Sequence, residues 1–379
     1  MYPGTLFRGI ITGTAFRGTN MQNQFFKGLK VVEFASVLAG PAVGMFFAEL
    51  GAEVIKIENK TTGGDVTRGW KQPFEDSASP ISAYWCCVNW GKKHLLLDLN
   101  DLADRAKALE IALAADVVIS NFKPSFARRV GLDAEALRIE NQALIYAQLN
   151  SYSDPEDESP AFDIVLQAEA GFLSMCGASE GPPIRMPVAF VDLLAAHQLK
   201  EAILLALLRR ERAGEGSVVT TSLMESALAS LANQASNYLM TGHIPQRMGT
   251  KHPNIAPYGD TFLCSDGQTL LLAVGTERQF SQLCAVLELE SLLENIDFQT
   301  NTARVKNREM LNNLLSEKIS QRSLNDIMTK FESSGVPAAR IRDLKSVFEM
   351  PAAQDMVLDE KMSDGMLTKR VKTIAFKME

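Results

Sequence analysis

A chain of 379 residues, 46% hydrophobic and 22% charged, has the makeup of an ordinary soluble globular protein, with length for two domains or one elaborated domain. Its formal net charge of -7 speaks against a nucleic-acid binder, which would carry a basic patch or stripe. Scattered cysteines with no C-x-x-C pair, histidines without partners at ligand spacing, and no apolar run of membrane-spanning length argue against a disulfide framework, a metal site and a membrane span, and point to thiols in a reducing compartment, the cytoplasm.

Residues 1–27 hold Arg8, Arg17 and Lys27 but no acidic residue. Gly4, Gly9, Gly13 and Gly18 would break an amphipathic targeting helix, so the segment is expected to be a dispensable extension, with Met21 as an alternative start. From Gly28 the pattern becomes regular. Leu29 to Ala35 is an apolar strand, Ser36 to Pro41 a tight connection through Gly40, and Pro41 takes the first position of a helix that Gly51 ends. Ala52 to Glu58 completes a β-α-β unit whose first turn offers backbone N–H groups to a phosphate. That turn is not G-x-G-x-x-G, so it reads equally as a plain strand-to-helix turn.

Gly64 to Trp70 is a loop, Asn89 to Leu99 ends in a strand, Leu102 to Ala115 has helical periodicity, and D-V-V-I-S-N-F is the next strand. Arg128 and Arg129 follow it, placed for a phosphate or forming a solvated basic turn. A strand at Leu144 to Leu149, an acidic loop at Tyr152 to Glu158 and the apolar run Ala161 to Gly171, which contains Asp163, come next. Asp192 then stands in V-A-F-V-D-L-L-A-A, ahead of a long apolar helix from Leu193 to Arg210. An ionised side chain there is expensive to desolvate unless it is paired or used. On these residues alone its first reading is a helix N-cap.

Beyond Arg212 come the strand S-V-V-T-T-S and a helix from Leu223 to Met240. The Pro/Gly loop M-G-T-K-H-P-N-I-A-P-Y marks a domain crossing. It is followed by a hairpin turned at Asp266-Gly267 and helices at Glu277 to Leu287, Arg308 to Lys318 and Leu324 to Ser333. Alternation of strand and helix argues the α/β class. The expected division is a large α/β domain over 28–215, a linking strand and helix over 216–244, a smaller α+β domain over 245–345, and a return to the large domain over 346–379.

Taken together, these landmarks resemble the class III CoA-transferases. The markers run from G-L-K-V-V-E-F-A-S-V-L-A-G-P and G-A-E-V-I-K-I-E through G-D-V-T-R, N-W-G-K-K-H-L-L-L-D-L, S-N-F-K-P-S-F-A-R-R-V-G-L and A-F-D-I-V-L-Q-A-E-A-G to K-H-P-N-I-A-P-Y and S-G-V-P-A, over about Gly28 to Lys377. Each is weak alone; their order and spacing carry the likeness. It implies a large Rossmann-like domain plus a smaller α/β domain, in an open-ring subunit that interlocks with a second copy as a homodimer. It also implies transfer of CoA from an acyl-CoA donor to a carboxylate acceptor. CoA and acyl-CoA would be substrates, with no tightly bound cofactor.

Carried over by position, the family's nucleophile falls on Asp192, which would pass through an aspartyl anhydride and an aspartyl-CoA thioester. Shielding from water would protect the anhydride. Val37, Leu38 and Ala39 fall on the adenine and pantetheine side, with Leu97 and Leu99 nearby. Asn121, Phe122 and Arg129 fall where the nucleotide and its phosphates are held. Asn59 stands where the family often has arginine, with Lys60 beside it. Ala196 replaces a frequent glycine, and the chain ends at Glu379 where relatives continue, implying a narrower acyl site and looser dimer packing.

Two alternatives come with the family. Its racemase branch pairs a histidine with an aspartate that matches Asp163, although Leu132 to Ala136, where the histidine belongs, has none. A non-catalytic acyl-CoA-binding subunit would keep the fold and lose the chemistry. The loops that read the acyl group match no one substrate; Trp70, Tyr84 and Arg185 are candidates to contribute.

Overall fold

The computed structural model describes residues 24–154, 156–362 and 365–378; residues 1–23 of the expected extension lie outside them. Gln24 onward packs on the end of the helix Ala39–Glu49: the Phe26 N–H donates to Leu50 O at 2.8 Å and its ring lies 5.1 Å from that of Phe47. The chain divides into two units. One takes the chain up to Asn150, Ala196–Thr220 and Leu358–Glu379; the other takes Ser151–Ala195 and Thr221–Val357.

The first unit is built on a six-stranded sheet. Its strands are β1 (Lys30–Phe34), β2 (Glu53–Asn59), β3 (Lys93–Leu97), β4 (Val117–Ser120), β5 (Ile145–Asn150) and β6 (Val218–Ser222), in the order β3-β2-β1-β4-β5-β6. The pairs from β3 to β5 are parallel. Apolar runs such as V-V-I in β4 suit a parallel sheet covered on both faces. This is the α/β class that the alternation argued, and the strand order reverses beside β1, where such sheets open a crevice at their carboxyl ends.

The helix Ala39–Glu49 follows β1 and is buried along its whole length. It starts two residues before Pro41, the expected first position. Ala42 N–H reaches Leu38 O at 2.8 Å, and Pro41, lacking an N–H, loses nothing inside a first turn. Gly40 is required, because a Cβ there would lie 2.3 Å from Ala35 Cβ. At the far end the Glu49 carboxylate accepts the N–H groups of Thr373 and Ile374, at 2.7 and 3.1 Å.

Charged side chains fill part of this core. Glu33 on β1 pairs in register with Lys56 on β2. Lys56 Nζ lies 3.0 Å from Glu33 Oε1 and 2.9 Å from Asp65 Oδ2, while Lys92 Nζ lies 2.7 Å from Glu33 Oε2. Burial alone would depress the Lys56 ammonium; Glu33 and Asp65 outweigh it and hold it above its ordinary value. Burial pushes Lys92 down to about 8 against the pull of Glu33. Glu58 takes Arg68 Nε at 2.6 Å and His94 Nδ1 at 2.7 Å, and those bonds overcome its burial and hold it well below the usual carboxylate range.

The second unit contains an antiparallel sheet of β7 (Tyr258–Leu263), β8 (Thr269–Ala273) and β9 (Ala338–Arg340). The β7–β8 hairpin turns through Gly267 at φ +75. The helices Glu277–Leu287, Arg308–Ile319 and Leu324–Ser334 close its core on Leu270, Leu272, Phe280, Leu311 and Phe331. The single helix expected from Leu223 to Met240 is two, Leu223–Ala229 and Ala232–Thr241, parted at Ala232 with φ 46. Serine hydroxyls bonded back to carbonyls, Ser226 to Ser222 O and Ser230 to Ser226 O, accompany that break. Among the described residues, no helix is long and apolar enough to cross a membrane.

Glu33 is the carboxylate that two buried lysines share, so Glu33→Gln removes the charge and keeps the shape. The expected loss is about 3–5 kcal/mol of unfolding free energy, read as a lower urea midpoint; an unchanged midpoint would contradict the network's role.

Candidate active site

The carboxyl ends of β1 to β4 surround a cavity of about 520 Å³. Of the residues expected at the nucleotide, Asn59, Leu97, Leu99, Asn121 and Phe122 line it. Phe34, Ile57 and Phe126 extend the apolar wall, and Ser36, Asp98, Asn100 and Lys123 bring polar groups. A cavity of this size, mostly apolar with a few polar groups, suits a small organic ligand. Arg129 does not line it; its exposed guanidinium lies 5.0 Å over the ring of the wall residue Phe126.

Val37, Leu38 and Ala39 also lie outside the lining. Leu38 and Ala39 are buried, and Val37 takes a left-handed backbone, φ 72, which costs a β-branched residue about 1–3 kcal/mol. The Val37 N–H donates to Asp65 Oδ2 at 3.2 Å, and the Ser36 N–H to Asn121 Oδ1 at 3.3 Å. The turn expected to offer free N–H groups to a phosphate has therefore already given these two to side chains. Asp65 also binds Lys56, so the buried charges of the core fix the shape of this turn. Nothing in local spacing signals that tie, although Asp65 lies within the quoted marker G-D-V-T-R.

The two carboxylates lie in the second unit. Asp163 opens the helix Asp163–Glu169 and uses both oxygens: Oδ1 accepts the Val191 N–H at 2.8 Å and Oδ2 accepts Gln167 Nε2 at 2.5 Å. Gln167 was detectable from sequence, because four residues of separation put it on the same helix face as Asp163. Asp192 sits in the first turn of the helix Phe190–Ala213 and is not its N-cap. An amide left open by the start of that helix, that of Val191, is taken by Asp163 from another helix, so the Asp192 oxygens are not drawn back onto the backbone.

Asp192 is only 7% exposed and makes no hydrogen bond or ion pair among the described residues. Burial, and then the charge of Asp163, push its carboxyl from an ordinary 3.8 up to about 7. The positive end of the helix favours its anion without cancelling that shift. A carboxylate so placed is more basic than usual and poorly solvated. Among the described residues no histidine is paired with either aspartate. The segment Leu132 to Ala136 instead starts the helix Ala134–Glu140 on its Asp133 cap. Of the suggested substrate readers, Trp70 and Tyr84 stack edge-on at 5.1 Å in the first unit, while Arg185 is exposed in the second.

The family model for CoA-transferase family III matches residues 26–379. A succinate–glutarate CoA-transferase of Agrobacterium fabrum is 35% identical over 364 residues, which are 94% of this chain and 90% of that protein. A succinyl-CoA:glutarate CoA-transferase of Homo sapiens is 33% identical over 347 residues, 91% of this chain and 77% of that one. Among solved structures, a CAIB/BAIF family protein from Brucella suis matches with a TM-score of 0.81 at 36% identity, covering 94% of this chain and 93% of its own.

An acid whose pKa is raised on folding holds a proton that the unfolded chain has already released, so stability falls as pH rises from 3.8 to about 7. Asp192→Asn removes that loss. The variant is expected to match the parent below the window and to exceed it by about 2–4 kcal/mol above it, measured by denaturant unfolding across pH. A difference that does not change with pH would contradict the burial of an ionised Asp192.

Proposed function

This chain belongs to the class III CoA-transferases, and from that premise we propose that Asp192 carries the acyl group and then CoA as successive covalent adducts. The observation that carries this reading is a buried carboxylate, without a protein partner, beside a second carboxylate that is already engaged.

An Asp192 oxygen attacks the thioester carbonyl, the C–S bond breaks, and CoA leaves as thiolate from a mixed anhydride. The thiolate then attacks the aspartyl carbonyl, and the donor acid departs with one aspartyl oxygen. Asp192 now holds CoA as a thioester. The acceptor carboxylate attacks that thioester, and the freed thiolate takes the acceptor's acyl carbon, returning Asp192 with one oxygen from the acceptor. Every step exchanges one anion for another and moves no proton, which suits a site with no general base at hand. Acylation also removes the charge that Asp163 opposes, so the like-charge pair favours the covalent states.

The cavity at the strand ends takes the nucleotide end of CoA in this reading, with Asn59, Leu97, Leu99, Asn121 and Phe122 in contact and Arg129 serving the phosphates from beside Phe126. The names of the relatives support dicarboxylic donors and acceptors of the succinyl and glutaryl kind. The free thiols support a reducing compartment such as the cytoplasm. We take the working form to be an interlocked homodimer; Leu204, Leu205 and Leu208 in the first unit and Tyr238, Leu239 and Met240 in the second are exposed apolar side chains that a second copy would cover. Asp163 remains a positioning residue and not half of a racemase pair, because both its oxygens are held.

Asp192→Ala is expected to abolish exchange of labelled acid into acyl-CoA while CoA affinity stays within a few-fold, measured by isotope exchange and calorimetry; exchange that survives would end the proposal. Arg129→Ala should raise the KM for acyl-CoA by about tenfold with kcat little changed, and a loss confined to kcat would remove Arg129 from the phosphate site.

A further inference from the structure

Arg247 in the second unit has no hydrogen bond or ion pair among the described residues, and its Nε is buried without an acceptor. Arg138 and Arg370 also hold buried unbonded nitrogens. Each has another nitrogen engaged, Arg138 with Gly216 O at 3.2 Å and Arg370 with Glu360 at 2.9 Å. A guanidinium cannot shed its proton in a protein, so Arg247 keeps a charge for which the described residues supply no counter-ion.

Its surroundings say what that charge faces. The Gly249 N–H donates to Gly177 O at 2.8 Å. A Cβ at Gly177 would lie 3.1 Å from Arg247 Cδ and 3.6 Å from Ile184 Cγ1. The bare backbone of Gly177, at φ +130, is what lets the arginine stem lie across this loop. The Ile184 N–H closes the loop on Cys176 O at 3.0 Å. The Met186 N–H then donates to Gln167 Oε1 at 3.1 Å, and the same Gln167 side chain holds Asp163.

Ile184 and Met186, two residues apart, are separated by at most about 7 Å of chain; the arginine stem lies at the first, and Gln167, which holds Asp163, is bonded at the second. Ile184, Met186 and Val188 are each about half exposed, so this loop presents apolar side chains beside the arginine stem. Two or three methylenes separate the carboxyl carbons of an extended succinyl or glutaryl group by about 4–5 Å.

We propose that Arg247 binds the distal carboxylate of a dicarboxylic acyl group whose other end reacts at Asp192, and so selects dicarboxylic over monocarboxylic substrates. This rests on the transferase reading above. The planar fork of the guanidinium matches a carboxylate with two parallel N–H bonds. A monocarboxylate in the same place leaves the cation unpaired, which is how a polar subsite rejects a ligand lacking the group it was built for. Arg185 is exposed on the same loop, where water screens its charge.

The test compares kcat/KM of the purified full chain for succinyl-CoA with glutarate against butyryl-CoA with butyrate. Arg247→Met is expected to reduce the dicarboxylate preference about 100-fold through KM, leaving the monocarboxylate pair within a few-fold. Arg247→Lys, which keeps the stem and a charge, should show the same loss in smaller degree. Equal losses on both substrate pairs in the two variants, an unchanged preference, or loss of preference in Arg185→Met instead would overturn the inference. A parent enzyme that transfers CoA but shows no dicarboxylate preference overturns it as well. A parent that transfers between no pair at all sinks the transferase reading beneath it, an outcome distinct from the others.

Discussion

Asp163 gives both of its oxygens to the chain around it, one to the Val191 amide and one to Gln167. That fixes a negative charge beside the residue that follows Val191, and it caps the helix on which Asp192 rides. Asp192 is left buried, close to a like charge, and without a hydrogen bond among the described residues. Its ionised form is thus disfavoured, and in the proposed chemistry bonding to an acyl group or to CoA relieves that penalty. A neighbour with a spare oxygen would bind Asp192's proton, and a neighbouring cation would stabilise its anion; either would make it a poorer nucleophile.

The first unit treats buried charge in the opposite way. Glu33, Lys56, Asp65 and Lys92 neutralise one another at ion-pair distance, and Glu58 is matched by Arg68 and His94. The network holds Asp65 against the Val37 amide and so keeps a strained turn in place at the end of β1. Beside that turn the cavity is lined by strand ends and by the segment after β4. In the first unit these buried charges match one another beside the cavity. In the second unit Asp192 has no hydrogen bond or ion pair among the described residues, and the proposed reactivity rests on that.

Much of the cavity lining was legible in the sequence, because the β-α-β rhythm places residues at strand ends before any contact is known. Asn59, Leu97, Leu99, Asn121 and Phe122 follow from that rhythm and the family likeness. The role of Val37 was not legible: its amide is taken by Asp65, 28 residues away, and no local pattern announces a left-handed valine. Glu33 and Lys56 looked like polar interruptions of apolar strands; only their register turns them into a pair. Asp192 read as a cap because an aspartate before an apolar run has the same pattern at the N-cap and within the first turn. Ala232 broke a helix that periodicity alone would have continued, and Arg247 sits in a Pro/Gly loop where periodicity says nothing.

On the proposed route Asp192 becomes covalently bonded and returns with an oxygen that belonged to the acceptor. The most direct measurement supplies an acceptor acid labelled with heavy oxygen in both carboxylate positions, allows turnover, and weighs the peptide that contains Asp192. The expected result is heavy oxygen in that aspartate, and in the aspartate of no other peptide. An unlabelled Asp192 after many turnovers would mean that CoA passes between acids without it.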